Sequence, residues 1–472
     1  MVFSSATFLF LFLPFTLVLY NLKLFKDKDK ETVKKNTVLL IMSLIFYAWG
    51  EPVYIILMLL SILYNYFAAI DIDSYIGSPR RKKAVFICAL IFNIFVLGFF
   101  KYYGFIVESI NSLFSLSLPV RDIPLPVGIS FYTFQILSYI IDVYRGDVKA
   151  QKNIIPFAAY ISMFPQLIAG PIVQYYDVEK QLTDREVTTE KFAAGIMFFI
   201  KGLGKKLIFA NTVGAVYTEI LAGDIPSLSV ATSWIGIICY TLQIYFDFSG
   251  YSDMAVGLGK MLGFDFVQNF NFPYKATSIT DFWRRWHISL SSWFRDYVYI
   301  PLGGNRKGKI RTVLNILIVW SLTGLWHGAA WNFLAWGAFY GLLLIAEKYV
   351  FAKVTERLPV FIKYPLTMLI VMIGWVFFSG ENLSSALAYL KSMFGLYGNS
   401  FIDSRAEYLF SENAFLLAIM ILCATGAFAA LPRLKKFRFN IAVMSVGYTT
   451  LFILCIIYLI SETYNPFLYF RF

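Results

Sequence analysis

The sequence predicts an all-α protein that crosses a membrane many times, and three observations carry that prediction. Only 15% of its 472 residues are charged while 58% are hydrophobic, against about 25% charged in a typical soluble chain. Apolar segments of roughly spanning length recur from end to end, and at about 20 residues per span the chain has room for ten or more. Lysines and arginines gather in the short connections between those segments, as cytoplasmic loops should. The formal charge of +12 therefore has a membrane explanation before a nucleic-acid one. Cys88, Cys239, Cys423 and Cys455 all lie in apolar runs without close pairs, which suits buried side chains better than disulfides or zinc ligands.

The first apolar run, about Phe8 to Tyr20, has no basic stretch before it and no small-residue cleavage site after it. It reads as a retained first span. The loop "NLKLFKDKDKETVKK" holds six lysines and is placed in the cytoplasm, which puts the N-terminus outside. Two short segments near 37–48 and 52–69 form a hairpin around "GEP" and return to a second basic loop, "RRKK". Two crossings between two inside loops give consistent parity. Further spans are expected near 84–101, 125–143, 154–173, 190–209 and 230–248, and again near 312–330, 331–348, 363–379, 412–430 and 441–460. Including short segments that dip and return, the total is about eleven to fourteen. Pro165, Gly170 and Pro171 mark either a simple helix end or a broken helix, tolerated at membrane depth only inside protein or beside a water-lined cavity. "RLKKFR" at 433–438 is another inside loop. Lacking an internal repeat or low-complexity linker, residues 1–472 read as one domain.

Between 248 and 312 the pattern changes. Written as a helix from Asp281, Phe282, Trp283, Trp286, Leu290, Trp293, Phe294 and Tyr297 form one face at spacings of three and four, with Ile288 the exception on the polar side. "SITD" at 278–281 resembles a capping box. The stretch 278–310 is thus expected to be an amphipathic helix and basic loop embedded at the cytoplasmic surface. His287 lies near the apolar face, either as a core residue with one satisfied hydrogen bond or as part of a reaction chamber. Arg284, Arg285 and Arg295 suit lipid phosphates or a phosphate-bearing acyl donor about equally.

His327 is the sharper signal, because it stands in a span otherwise almost free of ionisable residues. Such a residue is a functional-site hypothesis by default; the competing reading is helix packing through Gly324 and Gly328, with the imidazole bonded to a carbonyl. Asp247 and Asp253, with Ser249 between them, must face protein or water. They suit a polar network around a histidine, or capping and folding roles. No third or fourth ligand clusters with them, so no catalytic metal is expected. The chain has no phosphate-binding loop, dinucleotide fingerprint or nucleophile elbow. Group transfer with a histidine as general base fits what remains, with nearby donors stabilising an oxyanion.

The motifs "FYAWGEP", "VGISFYTFQ", "LIAGPI", "YFDFSGYSDMAVGLG", "FWRRWHISLSSWFRDYVYIPLGGNR" and "LTGLWHGAAWNF", in this order, resemble the membrane-bound O-acyltransferase family. The likeness is strongest to its bacterial branch that O-acetylates alginate, exopolysaccharide or peptidoglycan. That resemblance implies a ring of membrane helices around a central chamber in the bacterial cytoplasmic membrane. It makes His327 of "WHG" the essential catalytic residue and His287 of "RWH" the second site residue. The implied donor is cytosolic acetyl-CoA, with no permanently bound cofactor. Acetyl would cross the bilayer to an extracytoplasmic SGNH-type partner that completes transfer to glycan. Arg306, Lys307 and Lys309 then join the three arginines as candidates for drawing in the phosphate-rich donor. The nearest alternative is D-alanyl transfer from a carrier-protein thioester to teichoic acid. A polymer transporter or scaffold is a third reading, disfavoured by the lack of inverted repeats.

Overall fold

The computed structural model describes residues 1–75, 77–168, 170–352, 357–427, 441–461 and 464–468. Among the described residues the regular structure is helical throughout. In chain order the helices are α1 (Leu13–Asn21), α2 (Lys28–Gly50), α3 (Ile55–Ser74), α4 (Pro79–Phe114), α5 (Ile129–Arg145), α6 (Ile154–Ser162) and α7 (Phe164–Leu167). They continue with α8 (Tyr175–Thr183), α9 (Thr189–Gly204), α10 (Asn211–Leu221), α11 (Val230–Met261), α12 (Ile279–Arg285) and α13 (Ile288–Phe294). The last six are α14 (Gly308–His327), α15 (Trp331–Tyr349), α16 (Val360–Ser379), α17 (Leu383–Met393), α18 (Ser404–Thr425) and α19 (Ile441–Ser461). Among the described residues five helices are long and apolar enough to cross a membrane, namely α3, α4, α16, α18 and α19. Phe8–Asn21 and Ile154–Leu167 are apolar but shorter. The protein is a multi-pass, all-α membrane protein. The "RLKKFR" loop lies outside the described residues.

The chain packs into two compact units that interleave in sequence: Met1–Phe199 with Tyr251–Val267, and Ile200–Gly250 with Gln268–Phe472. The first is centred on rings from its N-terminal half. Phe8, Phe12, Phe46 and Phe164 meet at centroid separations of 5.4–6.3 Å. The helix ends at Ser162 and a short one resumes at Phe164, just before Pro165, and the protein itself satisfies the freed groups. The Phe164 amide donates to Ser43 Oγ at 3.1 Å, and Gln166 Nε2 donates to the Tyr160 carbonyl at 2.6 Å. Of the cysteines, Cys239 and Cys455 are buried as expected, whereas Cys423 is half-buried and Cys88 on α4 is exposed.

The second unit contains both histidines, and its most closely packed helix pair is the α14–α15 hairpin. A Cβ on Gly324 would strike the Phe333 carbonyl, and one on Gly337 the Trp320 carbonyl. The two backbones meet there closer than any side chain allows. α14 stops at His327 because Gly328 turns extended, and the Phe333 ring fills the space a side chain on Gly328 would need. Upstream, the loop "PLGGNRKG" reverses through Gly303, Gly304 and Gly308, all at positive φ, where a Cβ would be strained. Asn315 of α14 pins it by donating to the Gly304 carbonyl at 2.9 Å.

The expected amphipathic helix from Asp281 is not continuous. It starts as predicted, with Ser278 Oγ accepting from the Asp281 amide at 3.0 Å. It then ends at Arg285, passes through extended Trp286 and a left-handed His287 (φ +45, ψ 55), and restarts as α13. The physical cause is a paired backbone segment: the Asn271 amide donates to the Arg285 carbonyl and the Ile288 amide to the Asn269 carbonyl, both at 3.0 Å. These bonds replace the helical ladder across the elbow.

Candidate active site

Both histidines belong to the second unit and are buried. His327 occupies the last turn of α14, where three rings wall its imidazole edge to face. Trp326, Trp336 and Phe378 stand at centroid distances of 4.9, 5.1 and 5.1 Å. Phe378 comes from α16, and Asn332 at the start of α15 ties that helix end by donating to the Gly380 carbonyl at 2.8 Å. Gly324 and Gly328 serve close approach, because neighbouring atoms occupy the space beside them.

His287 stands at the elbow between α12 and α13. Phe248 of α11 packs edge to face on its ring at 4.7 Å, and Trp326 lies 5.9 Å away. One indole therefore touches both imidazoles. Burial lowers the His287 imidazole from the usual histidine range to about 3, so it is neutral at physiological pH. Its Nδ1 lies 3.2 Å from Asn269 Oδ1, which also accepts from the Ser289 amide at 3.1 Å and the Ser289 hydroxyl at 2.9 Å. Asn269 is the residue that sequence reasoning missed. It sits in "NFNFPYK" two positions from a second asparagine, and no local pattern separates them.

A cavity of about 560 Å³ opens beside His287, lined among others by Trp283, Arg284, Arg295, Trp320 and Thr323. The structure sorts the candidate cations. Arg284 is exposed on the cavity wall. Arg295 also lines it, while held to Asp296 through two contacts of 2.7 and 3.0 Å. Arg285 is tied to Asp281 at 2.8 Å and does not line the cavity. Arg306 and Lys307 on the glycine loop and Lys309 in the first turn of α14 are exposed, outside the lining.

The carboxylates divide as well. Asp247 is buried against Lys206 at 2.7 Å and accepts from the Leu468 amide at 2.9 Å. Lys206 also donates to the Pro466 carbonyl. Ser249 accepts from Lys205 at 3.3 Å. Asp253, further along α11, belongs to the first unit. Asp247 is thus engaged by Lys206 and the Leu468 amide, and Ser249 by Lys205, while Asp253 lies in the other unit. Among the described residues, no three histidine, cysteine, aspartate or glutamate side chains gather as a metal site would require.

A profile of the membrane-bound O-acyltransferase family matches residues 148–390, a span that includes both histidines and Asn269. A probable alginate O-acetylase of Pseudomonas aeruginosa is 44% identical over 84% of this chain and 75% of its own length. A peptidoglycan O-acetyltransferase of Helicobacter pylori is 33% identical over 91% of this chain and 87% of its own. A teichoic acid D-alanyltransferase of Bacillus subtilis is 27% identical over 60% of this chain and 78% of its own. A family profile centred on the two-histidine region, with relatives of this identity along most of the sequence, establishes that the chain is an enzyme belonging to the membrane-bound O-acyltransferase family.

Proposed function

We propose that this protein is a membrane O-acetyltransferase of the bacterial cytoplasmic membrane. It takes acetyl from cytosolic acetyl-CoA and passes it across the bilayer to an extracytoplasmic SGNH-type partner, which O-acetylates a cell-surface or secreted polysaccharide. The observation that carries this reading is the identity of 33–44% to an alginate O-acetylase and a peptidoglycan O-acetyltransferase over most of the chain. The cavity beside His287, with Arg284 on its wall, supplies room and positive charge for a phosphate-bearing thioester. In the chemical step a hydroxyl oxygen attacks the thioester carbonyl, a C–O bond forms and the C–S bond breaks. His327 takes the hydroxyl proton and returns it to the departing thiolate, which leaves as free CoA thiol. Rings pressed against both imidazoles exclude water, so the thioester is protected from hydrolysis.

The test is CoA release from acetyl-CoA by purified protein in proteoliposomes with its partner and acceptor, run in parallel with a D-alanyl carrier-protein thioester. The more distant D-alanyltransferase relative makes the second donor the relevant competitor. Acetyl-CoA turnover that vanishes in folded His327→Ala is expected. Turnover with the D-alanyl carrier alone would reassign the donor, and near-wild-type turnover by His327→Ala would remove the mechanism.

A further inference from the structure

We infer that Asn269 is a positioning residue that fixes the tautomer of His287, placing the proton on Nδ1 and the lone pair on Nε2. This inference rests on the reading of His287 as a site residue. One donor at this position is unambiguous. The Ser289 backbone N–H has no acceptor capacity, and it points at the Asn269 side-chain atom at 3.1 Å. That atom must be the amide oxygen, which settles the orientation of the Asn269 amide. His287 Nδ1 lies 3.2 Å from the same oxygen, and two acceptors at that distance would repel. A hydrogen bond exists there only if Nδ1 carries the hydrogen. In a neutral imidazole the other nitrogen then bears the lone pair.

Two further observations show that the residue is kept for its oxygen. Asn269 Nδ2 is buried without a hydrogen-bond partner among the described residues, an arrangement that is destabilising in itself. The left-handed backbone of His287 is also uncommon for a residue other than glycine. It is held from both of its chemical faces by the same asparagine. The Asn269 carbonyl takes the Ile288 amide, and its side chain takes Ser289 and the imidazole. One residue thus sets the position of the ring and the nitrogen it presents. The consequence for the reaction is specific. Nε2 accepts a hydrogen bond from an incoming hydroxyl, leaving the proton itself to His327, and does not donate to an oxyanion, so stabilisation of that charge falls to other groups.

The chain contains two histidines, so full-length protein labelled with 15N-histidine in lipid nanodiscs gives two sets of ring signals, and His327→Gln identifies those of His287. The expected spectrum of His287 shows a protonated Nδ1 and an unprotonated Nε2. Asn269→Leu should lose that pattern and lower kcat by at least about tenfold, with little change in the KM for the acyl donor. Asn269→Asp, which restores an acceptor oxygen, should recover both the tautomer and most of kcat. An unprotonated Nδ1 in the wild type would overturn the inference, and so would wild-type tautomer and kcat in folded Asn269→Leu. The wild-type spectrum decides even where the leucine variant fails to fold. Because the spectrum needs no turnover, a protonated Nδ1 in a protein that transfers no acetyl would count against the proposed function and leave this inference intact.

Discussion

His287 shows what a single residue reveals before and after folding. Its chemical type marked it in the sequence, and so did its place among tryptophans. Its backbone did not, because a helical projection assumes the helix continues. One sign was present: Ile288 fell on the wrong face of that projection, and the structure places the register break immediately before it. Asn269 left no such sign, since its role depends on a bond across 18 positions of chain. The burial of His287 also has a measurable cost. Its folded pKa of about 3 lies below the unfolded value of 6.5, so between those values the unfolded chain binds a proton the folded protein does not. By linkage, stability is complete above the unfolded pKa and declines as pH falls below it. Thermal unfolding in detergent should therefore show a falling midpoint from about pH 6.5 downward, with a shallower slope in His287→Gln. Equal slopes in the two proteins would mean that the imidazole titrates normally.

At the scale of elements, the α14–α15 hairpin was legible because its glycines, aromatic run and lone histidine are all local signals. The length of α11 was not. Polar residues after 246 suggested a span ending near 248, whereas the helix runs to Met261. Hydropathy counts Asp247 as an exposed charge and cannot see that Lys206 neutralises it inside the protein. The basic region illustrates the same limit, because charge alone could not separate arginines on a cavity wall from lysines on a loop. The structure places them differently, with Arg284 on the cavity wall and Arg306, Lys307 and Lys309 away from it. Arg284→Gln should raise the apparent KM for acetyl-CoA by roughly tenfold, the scale of a charge-assisted contact, and should do so at any salt concentration. Replacing Arg306, Lys307 and Lys309 together with glutamine should raise KM only at low salt, since steering from an exposed loop is screened over about 10 Å at 0.1 M. Steady-state kinetics at two ionic strengths, on correctly inserted protein at matched levels, distinguish these outcomes. An unchanged KM in the triple variant would leave the loop as a topology and lipid anchor.

For the whole molecule, membrane class and helical architecture followed from composition, because a chain so poor in charge has no soluble alternative. The division into two units did not follow, since each is assembled from segments separated by long stretches of sequence. The same holds for the buried Lys206–Asp247 pair, whose side chains are 4% and 2% exposed and which also engages residues 466 and 468. Removing one partner of such a pair leaves an uncompensated charge, at a cost of about 3–5 kcal/mol, while replacing both with apolar residues is often tolerated. Lys206→Met should therefore melt well below wild type in a detergent thermal-shift assay, and Lys206→Met with Asp247→Leu should recover much of the loss. Equal melting of single and double variants would show that the pair contributes no coupling. Biogenesis inherits a constraint from this arrangement. Leu468 follows Asp247 by 221 residues, so the ribosome delivers α11 to the insertion machinery long before the backbone groups that complete its polar contact exist. Until then the growing chain carries the Lys206–Asp247 pair without the backbone contacts of residues 466 and 468. Final closure is necessarily a late event, and a fusion partner placed directly after residue 468 would compete with it unless joined through a flexible linker.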